Sequence, residues 1–100
     1  MPKGLAEKAA SLAPKLSRIR RHIHMYPELA YQETRTSELV AKTLRQMGLE
    51  VETGVAKTGV VGLLKGGRPG KTVALRGDMD ALPITEQNEK PYKSRVDGVM

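Results

Sequence analysis

The sequence predicts an α/β layer with one sheet, because the hydrophobic pattern changes period along the chain. Apolar residues recur at helical spacing in the first half, whereas residues 49–53 alternate between apolar and polar. Short apolar runs separated by glycine-containing turns follow at 60–64 and 72–76. Helices followed by short-linked strands are typical of a helical layer packed on a single sheet.

The apolar face of the first predicted helix is interrupted once, by a proline. Its apolar positions are Leu5, Leu12, Leu16, Ile19 and Ile23. Pro14 lies inside this pattern, and a proline inside a helix costs roughly 3 kcal/mol. We therefore expect a short leading turn and a main helix that begins near Pro14. The helix should end at Tyr26, because the residue before a proline, here Pro27, is pushed out of the α region.

A second helix is predicted at about residues 33–47, where apolar side chains again recur at helical spacing. Gly48 suits the left-handed position just after the end of such a helix. The expected buried stripe consists of Leu39, Val40, Thr43, Leu44 and Met47.

Three strands should follow as a β-meander. Residues 49–53 predict a half-buried strand, and residues 60–64 predict a short apolar strand that is entered through the turn-prone 57–59. Residues 66–70 predict a tight turn, and residues 72–76 the next strand, antiparallel to its predecessor.

Length and composition favour part of a larger unit. One hundred residues correspond to about one small domain, but the chain has no Phe or Trp and only three Tyr. A complete domain of this size would carry more aromatic area. After Pro83 the chain becomes polar and reaches Met100 without a closing element. We therefore expect residues 1–100 to be an incomplete unit.

The formal charge of +6 is concentrated near the amino end. The basic residues there are Lys3, Lys8, Lys15, Arg18, Arg20 and Arg21. They are not interleaved with aromatic residues as in nucleic-acid modules, so a solvated helix face is expected and no nucleic-acid partner. Without cysteine there is no disulfide or thiolate metal site, and no apolar stretch is long enough for a membrane span or a secretory leader. We expect a cytoplasmic protein.

Asp78 and Asp80 lie where the predicted third strand runs into a loop. In an extended segment such residues point to the same side, so both carboxylates would face one pocket, roughly 7 Å apart. Two charges that close are costly unless a cation, a hydrogen-bond donor or a proton compensates them. A metal-linked role and an ordinary solvated turn both remain open. The pattern excludes an EF-hand loop, and a nucleotide-sugar D-x-D has nothing else in its favour.

Two further short motifs have simple explanations. Arg76, Gly77 and Asp78 spell an adhesion tripeptide, but they continue a predicted strand in a chain without a secretion signal, so we interpret the match as chance. Gly66 and Gly67 precede a strand rather than a helix, so a hairpin turn is expected rather than a phosphate-binding loop.

His22 and His24 have the H-x-H spacing of some metal sites, which works on a strand. On a helix the two rings diverge by about 200°, so a shared metal ion is not expected. His24 near the end of the helix could instead interact with the helix dipole. Its role stays open.

Several segments, in order and with compatible spacing, resemble one family. Residues 20–29 (RRHIHMYPEL) are similar to its R-R-x-x-H-x-x-P-E-L opening, and residues 33–51 to its second helix and first strand. Residues 58–67, 75–84 (LRGDMDALPI) and 91–94 complete the match. The chain resembles, from about residue 16 onward, the N-terminal part of the dinuclear-metal amidohydrolases and peptidases. This family includes aminoacylases, hippurate hydrolases, auxin-conjugate hydrolases and bacterial carboxypeptidases.

The resemblance implies a two-domain enzyme. Its catalytic domain would have a mixed central sheet and two divalent metal ions, zinc or manganese, and a smaller inserted domain that often mediates dimers. Residues 1–100 would then be the N-terminal segment of this metallopeptidase-like catalytic domain, truncated before its main metal-binding motif.

The resemblance also assigns roles to two aspartates. Asp80 matches the aspartate that orients a ligating histidine in relatives, and Asp78 occupies the position where many relatives place that histidine. Both would lie near the metals without binding them. No metal ligand is expected within this chain, because the ligands and the glutamate general base would lie beyond Met100, beginning with an H-A-C-G-H-D stretch.

The function implied for the full-length protein is metal-dependent cleavage of the amide bond of N-acyl amino acids or small peptides. No membrane partner is expected, and the resemblance is compatible with a homodimer or a higher homo-oligomer. The segment alone is expected to bind zinc weakly or not at all and to hydrolyse nothing. The alternative is a small non-catalytic α/β module whose basic helix face binds an anionic partner.

Overall fold

The computed structural model describes residues 4–100. In chain order, its elements in that range are α1 (Leu5–Ser11), α2 (Ala13–Met25), α3 (Thr34–Gln46), β1 (Glu50–Val55) and β2 (Gly59–Leu63). Helices followed by strands with short connections confirm the α/β class. None of the helices described is long and apolar enough to cross a membrane.

The break between α1 and α2 lies where the proline predicts it. Pro14 occupies the first turn of α2, where its missing N–H costs nothing, and Leu12 alone separates the two helices. The leading turn is longer than expected, since α1 has seven residues. Tyr26 leaves the helical region at φ −124° and ψ 62°, as its position before Pro27 requires.

Helix α3 lies against the sheet, but with a narrower buried face than the pattern indicates. Ala41 is its buried apolar residue, 2% exposed, and Thr36 and Ser37 are buried near its start. The expected stripe of larger side chains is half-buried from Leu39 to Leu44, and Met47 is exposed. A sheet of two strands covers only part of one helix face.

The sheet is an antiparallel hairpin of β1 and β2, in which Glu50 pairs with Leu63 and Val51 with Gly62. Gly62 lies directly under α3. A Cβ added there would be 3.0 Å from methyl carbons of both Leu44 and Leu49. The glycine therefore permits the close approach of helix and strand.

The predicted third strand is wrong for this structure. Residues 72–76 form no strand within the described range, and 66–70 form an open bend rather than a hairpin turn. Strand β2 pairs with β1, as in the predicted meander, but with no third strand among residues 4–100. Val73 and Leu75 are 85% and 97% exposed. A strand exists only where a neighbour completes its hydrogen bonds, and no backbone hydrogen bond joins this run to another part of residues 4–100.

The last twenty residues return to the end of α2. The Arg95 N–H donates to the Met25 carbonyl at 2.8 Å. Leu82 and Met100 exchange two backbone hydrogen bonds, of 2.8 and 3.0 Å. We call these two residues the Leu82–Met100 pair. It lies two residues beyond Asp80.

Candidate functional site

The two candidate aspartates are both exposed but differ in their partners. Oδ1 of Asp78 accepts a hydrogen bond from Nε of Arg76 at 2.9 Å, so the arginine compensates its charge. Asp80 has no ion pair or side-chain hydrogen bond to any residue between 4 and 100. Asp80 is therefore the carboxylate that stays available to a further group.

The backbone on the carboxyl side of Asp80 is held at two points. The N–H of Ala81 donates to the carbonyl of Glu28 at 2.8 Å, and Ala81 forms a parallel bridge with Leu29. The Leu82–Met100 pair follows directly. The position of Asp80 is thus set by the loop between α2 and α3 on one side and by the end of the described chain on the other.

Glu28 is a residue of this site that the pattern analysis missed. Its Oε1 accepts hydrogen bonds from the backbone N–H and the hydroxyl of Thr36, both at 2.7 Å. Its Oε2 accepts from the Arg35 N–H at 3.1 Å and the Thr34 hydroxyl at 3.3 Å. The N–H groups of Arg35 and Thr36 are otherwise unsatisfied donors in the first turn of α3, and no side chain caps the helix from Glu33. The only signal in the sequence was the P-E-L motif.

The hydrogen bonds decide the charge of Glu28. Burial by itself would raise the pKa of this carboxyl, but the bonds from Thr36, Arg35 and Thr34 lower it below its ordinary value. The ionised side chain caps α3 while its own backbone carbonyl holds Ala81. One residue therefore ties the start of α3 to the segment that carries Asp80.

His24 contacts the C-terminal segment rather than the end of its own helix. Its Nε2 lies 2.8 Å from Oε1 of Glu86, whose side chain is 2% exposed. The Ser94 N–H donates to the same oxygen at 2.8 Å, and Asn88 donates to Oε2 at 3.4 Å. The hydrogen bond from Ser94 is the main cause that lowers the pKa of Glu86. Burial acts against it, and the bonds from His24 and Asn88 assist it.

The two histidines of the H-x-H motif face different neighbours. The ring of His22 lies 5.2 Å from that of Tyr26, and the ring of His24 lies 6.0 Å from that of Tyr92. This is the divergence that the helical spacing predicts. Between residues 4 and 100, no three His, Asp or Glu side chains are close enough together to hold a metal ion. The donor set of the described chain does not by itself make a metal centre.

The chain is similar to several curated proteins, although no protein-family model matches it. It is 61% identical over 83 residues to thermostable carboxypeptidase 1 of Saccharolobus solfataricus, covering 82% of this chain and 21% of that protein. It is 45% identical over 96 residues to hippurate hydrolase of Campylobacter jejuni, covering 96% and 25%. With N-acyl-L-amino acid amidohydrolase of Geobacillus stearothermophilus the identity is 46% over 81 residues, covering 81% and 22%.

Two solved structures share the fold. A putative aminohydrolase from methicillin-resistant Staphylococcus aureus matches all of this chain and 27% of its own, with a TM-score of 0.93 and 40% identity. The YXEP protein of Bacillus subtilis, described as a dinuclear metal binding peptidase of the M20 family, matches 91% of this chain and 26% of its own. Its TM-score is 0.84 and its identity 38%.

The chain spans 21% to 27% of the length of these proteins. Within that span, the two solved structures share the fold with TM-scores of 0.84 and 0.93. The expected resemblance is confirmed: this chain is similar in sequence to curated carboxypeptidases and amidohydrolases, and its fold matches part of a dinuclear metal binding peptidase of the M20 family.

Proposed function

We propose that a protein containing this chain is a metal-dependent amidohydrolase, and that residues 1–100 form the N-terminal segment of its catalytic domain. The observation that carries the proposal is the position of Asp80. It is an available carboxylate, fixed beside the Leu82–Met100 pair, in a chain that matches named hydrolases.

The geometry of the pair supports a role for Asp80 in orienting a metal ligand. Mutual N–H to carbonyl bonds define a directly opposed antiparallel pair. Extending that pairing by two residues would place the second residue after Met100 opposite Asp80, with Cα atoms about 5.5 Å apart. In the expected H-A-C-G-H-D stretch that residue is the alanine, so the extension places Asp80 beside the stretch without pairing it directly with a histidine. A carboxylate within reach of a ligating histidine can accept its second N–H and fix the ring toward a metal ion.

Asp78 would have a different part in the same site. In an extended segment every second side chain points to the same face, so Asp78 lies on the side of Asp80 wherever the segment is extended. Its contact with Arg76 is exposed and therefore weak. We assign Asp78 to shaping the metal pocket beside Asp80, without ligating an ion.

The substrate proposed is the amide bond of an N-acyl amino acid or a small peptide. Hippurate hydrolase and N-acyl-L-amino acid amidohydrolase are named for acylated amino acids, and the carboxypeptidase for peptides. The proposed ions are two zinc or manganese ions per full-length protein. We also propose a cytoplasmic homo-oligomer without nucleic-acid or membrane partners.

The first test is the coding sequence beyond Met100. Continuation into an H-A-C-G-H-D stretch is the expected result, whereas a stop codon directly after Met100 would contradict the proposal. The second test is hydrolysis of hippurate, N-acetyl amino acids and dipeptides by the full-length protein loaded with zinc or manganese. No turnover of any of these substrates by metal-loaded, folded protein would contradict it as well.

A second candidate function has one observation in its favour. Four guanidinium groups lie over two tyrosine rings and form no ion pair among residues 4–100. They are Arg20 and Arg21 over Tyr92, and Arg35 and Arg95 over Tyr26. Such a surface could bind an anionic partner. Affinity for duplex DNA that falls steeply between low and moderate salt would support this non-catalytic module, whereas no measurable binding would exclude it.

A further inference from the structure

We propose that His24 and Glu86 form an acid-sensitive latch that holds residues 86–100 against α2. The two residues are 62 positions apart, and their side chains meet at 2.8 Å. The proposal concerns the chain itself and does not depend on hydrolase activity. Where the proposed function holds, the latch also positions the backbone beside Asp80.

The first step is the burial of Glu86. Its carboxylate is 2% exposed, while the imidazole of His24 is 25% exposed. A buried carboxylate is costly unless partners satisfy its oxygens. The partners here are His24 and Ser94 at Oε1 and Asn88 at Oε2.

The second step is the direction of the hydrogen bonds. A backbone N–H can only donate, so Oε1 of Glu86 accepts from Ser94. An ionised carboxylate has no proton to give, so Nε2 of His24 must carry the proton that lies between them. The structure therefore assigns an ionised Glu86 and an Nε2-protonated His24.

The third step is what the latch holds. The hydroxyl of Ser94 donates to the Val99 carbonyl at 2.6 Å. Val99 precedes Met100, which pairs with Leu82 beside Asp80. A continuous series of hydrogen bonds and peptide units thus connects the buried carboxylate to the candidate site. Other contacts between this segment and α2 include the bond from the Arg95 N–H to the Met25 carbonyl and the packing of α2 side chains on Tyr92.

The groups that accompany the latch are a tyrosine ring and two arginines, whereas the lowered pKa of Glu86 comes mainly from its hydrogen bond with Ser94. From α2, Arg20 and Arg21 lie 5.8 and 4.6 Å from the ring centre of Tyr92. Tyr92, from the C-terminal segment, is also the ring that faces His24. Glu86 is the negative group in this surrounding. Protonating Glu86 would weaken the acceptor that its carboxylate offers to His24, Ser94 and Asn88.

The sign of the effect follows from the lowered pKa of Glu86. A carboxyl group whose pKa is lower in the folded than in the unfolded chain stabilises the fold at pH values above its ordinary pKa. That contribution is lost as the pH falls through the folded value. The latch is therefore closed at neutral pH and opens in acid.

The test is NMR spectroscopy of the chain, with His22 as the internal control because it lies on the same helix without a carboxylate partner among residues 4–100. In the unaltered chain, ring nitrogen shifts should show the proton of His24 on Nε2. The chemical shift of the Ser94 amide proton should change in a single step as Glu86 titrates, at a pH below the ordinary carboxyl pKa. A neutral His24 protonated only on Nδ1, or a Ser94 amide that does not respond to acid, would overturn the proposal without any variant.

Variants supply the second measurement. His24→Gln should lower the protection of the Ser94 amide against hydrogen exchange by about tenfold and move the titration of Glu86 toward its ordinary range. Glu86→Gln should abolish the titration seen at Ser94. His22→Gln should change neither. Equal protection and equal titration in His24→Gln and His22→Gln would refute the latch, and neither result depends on enzymatic activity.

Discussion

At the residue scale, one carboxylate organises the start of α3. Glu28 accepts four hydrogen bonds from Thr34, Arg35 and Thr36, and two of the donors are backbone N–H groups of the first turn. A helix begins with unsatisfied donors and a partial positive charge, and an ionised carboxylate compensates both. The residue lies outside the helix, six positions before Thr34, so no local capping rule finds it.

Replacing Glu28 by Gln should lower the free energy of unfolding by about 1–3 kcal/mol. The side-chain amide has one acceptor oxygen, and its NH2 group would face donors that the second carboxylate oxygen now accepts from. Urea denaturation of the chain measures this. The matched control is Glu38→Gln on the exposed side of α3, which should change the stability by less than about 0.5 kcal/mol. Equal effects of the two changes would contradict the capping role.

The same carboxyl sets a pH dependence. Since the pKa of Glu28 is lowered in the folded chain, its contribution is present above the ordinary carboxyl range and is lost as the pH falls through its folded value. The stability difference between the unaltered chain and Glu28→Gln should therefore shrink on acidification. Denaturation curves at several pH values test this, and a difference that grows in acid would contradict it.

Asp80 and Asp78 can be separated in the full-length protein. Asp80→Asn should weaken metal binding or hydrolysis by about 10- to 100-fold, because the amide orients a histidine less well than a carboxylate does. Asp78→Asn should have a smaller effect, since we assign Asp78 to shaping the pocket rather than to orienting a ligand. Metal content and hydrolysis rates measure both. A larger loss from Asp78→Asn would reverse the two roles.

At the element scale, the hairpin of β1 and β2 depends on a tight turn. Ala56 and Lys57 adopt positive φ angles of 48° and 82°, which residues with a Cβ rarely do. Gly59 closes the turn opposite Val55. A Cβ added at Gly59 would collide with the carbonyl oxygen of Val55, and that oxygen belongs to the backbone and cannot rotate away.

Gly59→Ala should therefore destabilise the hairpin by about 1–3 kcal/mol. Gly67→Ala is the control, because nothing lies within 4 Å of the added carbon and its φ is not positive. Thermal unfolding and the amide protection of β1 and β2 measure the effect. A Gly59→Ala chain as stable as Gly67→Ala would show that the turn rearranges at little cost.

At the scale of the whole molecule, apolar residues that the pattern predicts inside a sheet lie in solvent. Leu75 is 97% exposed and Val73 85%. Exposed apolar strands are sites of association. The segment satisfies the periodicity of a strand, but no neighbour within residues 4–100 pairs with it.

Leu75→Lys should therefore leave the stability of the 100-residue chain within about 0.5 kcal/mol and reduce its self-association. Sedimentation and denaturation measure the two quantities. In the full-length protein, where we propose that further strands cover this side chain, the same change should cost several kcal/mol, roughly 2–5. Equal effects in the two chains would contradict the proposed incomplete sheet.

The sequence by itself determined the elements whose signals are local. Pro14 and Pro27 place the ends of α2, the helical spacing places α3, and the ordered motifs around Asp80 indicate the family. Only the tertiary structure decided the rest, because it depends on partners that are distant in the chain. The cap from Glu28 and the buried contact of His24 with Glu86 join residues by geometry that no local period encodes. The segment at 72–76 shows the reverse case: its pattern is that of a strand, but a strand needs a neighbour.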